Sequence, residues 1–179
     1  ALRLNASADV KIWKWILMKI KIGFFYSISN RHFMYLVLKD VFVFILLTTS
    51  AILFISIIRS LYGKINGKDF ESRDLRLSLF GLIFSHLQLL IGLILYFVSP
   101  WFDQWSNLGM GGVMKDAQTR LFLVEHPFTN ILAIALITIG WSAHKHQSDP
   151  SKKFLRIALL YGLGLLLLMS RIPWDTWLA

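Results

Sequence analysis

Two histidines stand where ionisable groups are costly. His86 sits inside GLIFSHLQLLIGLILYFVSP (81–100), and His126 opens a second apolar run. An ionisable side chain within a membrane span usually faces the interior of its bundle and is a functional-site candidate by default. Neutral imidazole is a good axial ligand for haem iron, and the space between bundle helices is a common cofactor site. Two histidines on facing helices would suffice for a six-coordinate b-type haem. His86 and His126 are therefore the candidate iron ligands, with Arg120 placed to neutralise a propionate. The chain contains no cysteine. That excludes covalent c-type attachment, disulfides, thiolate metal sites and thiol catalysis.

The neighbours of these histidines are patterned. Ser78, Gly81, Ser85, Gln88, Gly92, Tyr96 and Ser99 recur at helical spacing. Such a stripe of small and polar residues lets helices approach closely and hydrogen-bond. His86 lies about 100° round from Ser85, at the edge of that seam. From there we expect it to point into the bundle. In the next apolar run, Glu125, His126, Thr129, Asn130, Ala133 and Gly140 follow one another, and His126 and Asn130 share a face. Pro127 either opens this helix or frees a carbonyl one turn back. Glu125 can orient an imidazole, accept a proton, or pair with Arg120.

Depth tests the pairing. With a rise of about 1.5 Å per residue on antiparallel helices, the two imidazoles differ in depth by about 6–12 Å. Two separate sites, or one five-coordinate haem, stay open beside a shared one. His32 precedes the first span, near the same surface as His126. His144 and His146 belong to AHKHQSDPSKK, which reads as a solvated loop. Asp40 reads as an interfacial ion pair with Lys39.

The elements that must position these groups are helices. The chain has 179 residues, 56% hydrophobic and 16% charged. A soluble domain usually carries about a quarter charged residues. Four apolar segments, at about 36–58, 78–100, 121–143 and 154–172, are each long enough to span a bilayer core of about 30 Å. The expected fold is an all-α integral membrane four-helix bundle with up-down topology. Residues 34–179 form that domain, and residues 1–33 are a short basic N-terminal extension.

Charge orients the bundle. Loop 1 carries Arg59, Lys64, Lys68, Arg73 and Arg76, and loop 3 carries Lys145, Lys152, Lys153 and Arg156. Loop 2 has only Lys115 and Arg120. The positive-inside rule assigns loops 1 and 3 to the cytoplasm of a bacterial inner membrane. Trp101, Trp105, Trp174 and Trp177 would then anchor the outer interface. Residues 1–33, with six basic residues and one acid, break that rule. They are either a basic amphipathic surface helix or a stretch upstream of a true start at Met34, and we expect the second. No small-residue cleavage site marks a signal peptide. The net charge of +9 lies in the extension and the short loops, so nucleic acid is not an expected partner. NLGMGGV (107–113) reads as a flexible turn around Gly109, Gly111 and Gly112. It lacks the GK[ST] of a phosphate loop. VMKDAQTRLFLVEH after it reads as a helix that starts at the surface and dips in.

HLQLLIGLILYFVSP, the R-x-F-x-x-EH run, AIALITIG, a lysine-rich loop and a last helix ending IPW together resemble a group of small bacterial four-helix membrane proteins catalogued as cytochrome B-like. The resemblance covers about 34–177 and is best over 78–143. It rests on His86, Gln88, Gly92, Tyr96 and Pro100, then Arg120, Glu125, His126, Gly140, Pro173 and Trp174. It implies a four-helix bundle with b-type haem. Members tend to carry a histidine early in the first helix, where this chain reads YLVLKDVFVF.

The expected function is therefore a small membrane cytochrome b-like protein. It would bind haem b and either transfer electrons or anchor a redox complex. Its partners would be the lipid bilayer and either other membrane redox subunits or further copies of itself. The alternative is a non-redox scaffold or assembly subunit without cofactor. A proton-coupled transporter fits less well, because four short helices leave little room for alternating access and no inverted repeat is visible. No nucleophile–base pair or metal triad points to an enzyme.

Overall fold

The computed structural model describes residues 6–172, with side chains left out of the description at 6–13 and 20–29. Trp174, Trp177 and Pro173 lie outside the described residues. Within them the chain is helical, with no strand. The long helix α1 spans Ala6–Ile65, and α2 spans Ser72–Val98. A 3-10 turn at Pro100–Asp103 leads into α3 (Gln104–Lys115). A single turn, α4 (Ala117–Arg120), passes through a π-helical turn at Leu121–Glu125 into α5 (His126–Lys145). The last helix, α6, is Pro150–Ser170.

Four stretches are long and apolar enough to cross a membrane: Asn30–Ile65, Ser72–Val98, Ala117–Lys145 and Pro150–Ser170. They pack as a ring in which α1 lies against α2 and α6, α5 lies against α6, and α2 meets α5 along a shorter face. Neighbours run antiparallel, giving the up-down bundle. The links α1–α2 and α5–α6 share one end of the bundle, the hairpin end. The α3 segment crosses the other end.

Polar side chains share the interior with apolar ones. Thr49, Ser56, Ser60, Ser78, Ser85 and Gln88 are buried, while Phe44, Leu47, Ile58, Leu90 and Leu166 are more than half exposed. An outer surface this apolar departs from the pattern of a water-soluble bundle and matches a helix surface solvated by lipid. Small residues let the backbones approach. A Cβ on Gly164 would stand 2.7 Å from Ile137 and 3.0 Å from the Ala133 carbonyl. Leu53, Ala133, Ile137, Ile157, Tyr161 and Leu168 form the core around this contact. Tyr161 crosses it to donate to the Ser78 carbonyl at 2.8 Å, and Ser56 and Ser78 join hydroxyls at 3.3 Å.

The stripe on α2 is the buried face, as its spacing predicts. Ser78, Gly81, Ser85 and Gln88 are all buried. The helix starts where Asp74 accepts the Glu71 N–H at 2.9 Å. Asp74 is also bound by Arg59 of α1, which ties the two helices at the hairpin end.

The helix α1 runs through Met34 without a break. Arg31, inside the expected extension, reaches the last turn of α2. It donates to the Val98 and Ser99 carbonyls at 3.3 and 3.4 Å and pairs with Asp103 at 3.0 Å. A cation on the exposed carbonyls of a helix C-terminus is favourable on both hydrogen-bond and dipole grounds.

Gly109 alone supplies the expected turn after α2. Its φ of 64° lies in the left-handed region, which glycine enters without a Cβ clash. Gly111 and Gly112 are helical. The stretch after them is broken once. Asp116 leaves helical geometry and accepts the Thr119 N–H at 2.7 Å. Thr119 holds its carboxyl below the usual carboxylate range, first through its side chain and then through that N–H.

Candidate functional site

The polar groups of the α3 end converge on the start of α5. Pro127 lacks the N–H that would bond the Leu123 carbonyl, and its ring crowds that carbonyl. The helix widens into the π turn Leu121–Glu125 immediately before it. Tyr96 of α2 donates its hydroxyl to the Leu123 carbonyl at 3.3 Å. The Trp105 indole N–H donates in turn to the Tyr96 oxygen at 3.0 Å. Both sequence readings of Pro127 are realised: it stands in the first turn of α5, and the freed Leu123 carbonyl one turn back takes Tyr96 as its partner. Trp101 stacks on Phe122 with centroids 4.6 Å apart, closing the same corner.

Glu125 binds Arg120 at 2.8 Å and Arg171 at 3.4 Å. Arg120 also donates to the Met114 carbonyl at 2.7 Å. Of the roles open to Glu125, ion pairing with Arg120 is the observed one, extended by Arg171 from the end of α6. Arg120 is thus committed to a carboxylate and a carbonyl.

His126 is half-buried beside this cluster. Its Nδ1 lies 2.7 Å from the Arg171 carbonyl, and its Nε2 lies 3.0 Å from the Asn130 amide nitrogen. A carbonyl only accepts, so Nδ1 carries the proton. Nε2 of the neutral ring then accepts from Asn130. The imidazole joins α5 to the chain leaving α6.

His86 is elsewhere. Its side chain is exposed on the outer face of α2, and its Nδ1 lies 2.9 Å from the Leu82 carbonyl of its own helix. The expectation that it points into the bundle is corrected. A rotation of about 100° from Ser85 carries it past the edge of the buried stripe. A bond to its own backbone also removes the need for a partner across the seam. The structure does not bring His86 and His126 together.

A cleft of about 100 Å³ opens between α2 and α5, with α1 behind it. His126, Asn130, Gln88, Lys39, Tyr35 and Tyr96 are among its lining residues, and His86 is not. Only one of the two expected ligands, His126, reaches the cleft. The residues do not fit a bis-histidine haem. Among the described residues, no cluster of three His, Asp or Glu side chains is placed to hold a metal ion.

Two further expectations change. His144 is buried, at 2% exposed, rather than solvated. Its ring lies 4.7 Å from Trp141 and 5.5 Å from Phe70. The lysines beside it hide this in the sequence, and Lys145 itself lies over the Trp141 ring. Asp40 is exposed, and among the described residues it makes no ion pair with Lys39. Adjacent helix positions do not face each other, and Lys39 turns to the cleft instead. His32 and His146 are exposed. Sequence reasoning missed Arg171 as a partner of both Glu125 and His126, because only the return of α6 brings it there. No family model, curated protein or solved structure matches the chain.

Proposed function

We propose that this chain is a small multi-pass scaffold or assembly subunit of a bacterial inner membrane, not a carrier of electrons on a bis-histidine haem. The separation of the two histidines carries this reading. His126 acts as a structural tie between α5 and α6. His86 offers a polar group on a lipid-facing surface, where a helix of a partner or of a second copy would cover it. Loops 1 and 3, at the hairpin end, are the basic ones, which supports their cytoplasmic placement.

One observation favours the b-type cytochrome implied by the resemblance. With Nδ1–H on a backbone carbonyl, His126 has the tautomer and orientation that a metal-ligating imidazole needs. That reading leaves His126 as the sole protein ligand. It also requires Asn130 to release Nε2.

Visible spectra of protein purified from haem-replete cells, oxidised and reduced, separate the two. The scaffold reading expects no Soret or α-band. A Soret band lost in His126→Leu and kept in His86→Leu would overturn it in favour of the cytochrome. The scaffold reading also expects His86→Leu to lose an oligomer or co-purifying subunit at unchanged helix content.

A further inference from the structure

Lys39 is the unaccounted cation at the α3 end of the bundle. Arg31, Arg120 and Arg171 at that end each reach a carboxylate, Asp103 for the first and Glu125 for the other two. Lys39 lies within the apolar stretch Asn30–Ile65. It is partly buried and lines the cleft between α2 and α5. No acidic side chain lines that cleft. Among the described residues, no carboxylate stands within ion-pair distance of Lys39. An ionisable group in a span is costly without a counter-charge and calls for a partner.

Depth narrows what that partner is. A Cβ on Gly92 of α2 would stand 3.0 Å from the Phe42 ring of α1, so the two helices are level there. Lys39 is one turn nearer the α3 end, about 5 Å short of the end of α2. Tyr96 and Trp101 line the cleft near that level, and such rings favour the headgroup region of a bilayer. Further in, the lining includes Leu89, Leu93, Ile131 and Ile134, and Leu89 is about 9 Å deeper than Lys39. Leu93 and Ile131 are 41% and 49% exposed, so the cleft is open to lipid between α2 and α5. A cation at headgroup level above an apolar cleft is complementary to an anionic head on an alkyl chain. A cationic amphiphile would meet like charge, and a neutral one would leave the ammonium unpaired. A small hydrated anion lacks the hydrophobic gain that a chain brings.

We propose that the cleft between α2 and α5 holds the alkyl chain of an anionic lipid, whose carboxylate or phosphate head pairs with Lys39.

The test uses the full chain in phosphatidylcholine nanodiscs at about pH 9, where a carboxyl group at a bilayer surface is ionised. Empty nanodiscs give the uptake due to partitioning alone. The probes are radiolabelled dodecanoate and dodecanol, which share a chain and differ in the charge of the head. Beyond partitioning, the wild type is expected to take up dodecanoate saturably at a single site per chain. It is expected to prefer dodecanoate over dodecanol by about fivefold or more. Lys39→Met is expected to lose the preference, and Lys39→Arg to retain it. Lys115→Met removes the same charge from the exposed end of α3 and is expected to change nothing. Acetate, a head without a chain, is expected not to displace dodecanoate. Equal affinity of the wild type for the two probes overturns the proposal, as does uptake no greater than that of empty nanodiscs. So does a preference that survives Lys39→Met or falls equally in Lys115→Met, which marks attraction to net charge. Displacement by acetate overturns it in favour of a small-anion site. The wild-type comparison decides the matter even if Lys39→Met does not fold.

Discussion

At the scale of single residues, the α3 end is built around one missing N–H. Pro127 leaves the Leu123 carbonyl without its helical donor, and Tyr96 replaces that donor from another helix. Tyr96→Phe removes the hydroxyl and strands both the Leu123 carbonyl and the Trp105 indole N–H. The expected loss is about 1–3 kcal/mol, the cost of leaving a buried polar group unpaired. Pro127→Ala returns an N–H one turn from that carbonyl. Combined with Tyr96→Phe, it is expected to recover part of the loss. A double-mutant cycle on unfolding in mixed micelles measures the coupling. Strict additivity would show that the proline and the tyrosine do not share the Leu123 carbonyl. Pro127 and Tyr96 are both visible in the sequence as unusual residues. That they serve one carbonyl is not, because they are 31 positions apart on different helices.

Each helix carries a small-residue face and a bulky face, and the distinction is sharp on α6. Gly164 packs against Ile137 and the Ala133 carbonyl, while an added Cβ at Gly162 would meet nothing within 4 Å. Gly164→Leu is therefore expected to destabilise the bundle by about 1–3 kcal/mol through overpacking. Gly162→Leu is expected to leave its stability unchanged. Thermal unfolding of the two variants side by side checks the assignment, and similar losses in both would refute it. The α2 stripe was legible for the same reason. Period and residue size together mark the face that must approach another backbone, and Ser78, Gly81, Ser85 and Gln88 are all buried. His86 escaped that logic. A histidine has a polar reason to turn inward and, once bonded to its own Leu82 carbonyl, no need to. His144 escaped it in the opposite sense, since the aromatic rings that bury it come from α5 itself and from the distant Phe70.

For the whole molecule, the unequal ends predict its orientation. A cysteine placed at Gly67, in the α1–α2 turn, is expected to resist a membrane-impermeant thiol reagent in intact cells. One at Met110, in α3, is expected to react. The native chain has no cysteine, so each variant reports a single position. Labelling of Gly67→Cys with protection of Met110→Cys would invert the proposed topology. By itself the sequence determined the number of spans, their approximate limits and the small-polar face of α2. These follow from local quantities: run length, residue volume and a period of 3.6. The tertiary structure alone decided which polar groups meet. Arg171 reaches Glu125 and His126 because α6 returns antiparallel to α5. Arg31 reaches Val98, Ser99 and Asp103 because α1 continues past the expected boundary at Met34. His86 and His126 part because the rotation of a helix about its axis is settled by its packing against every neighbour at once, and no single residue dictates it.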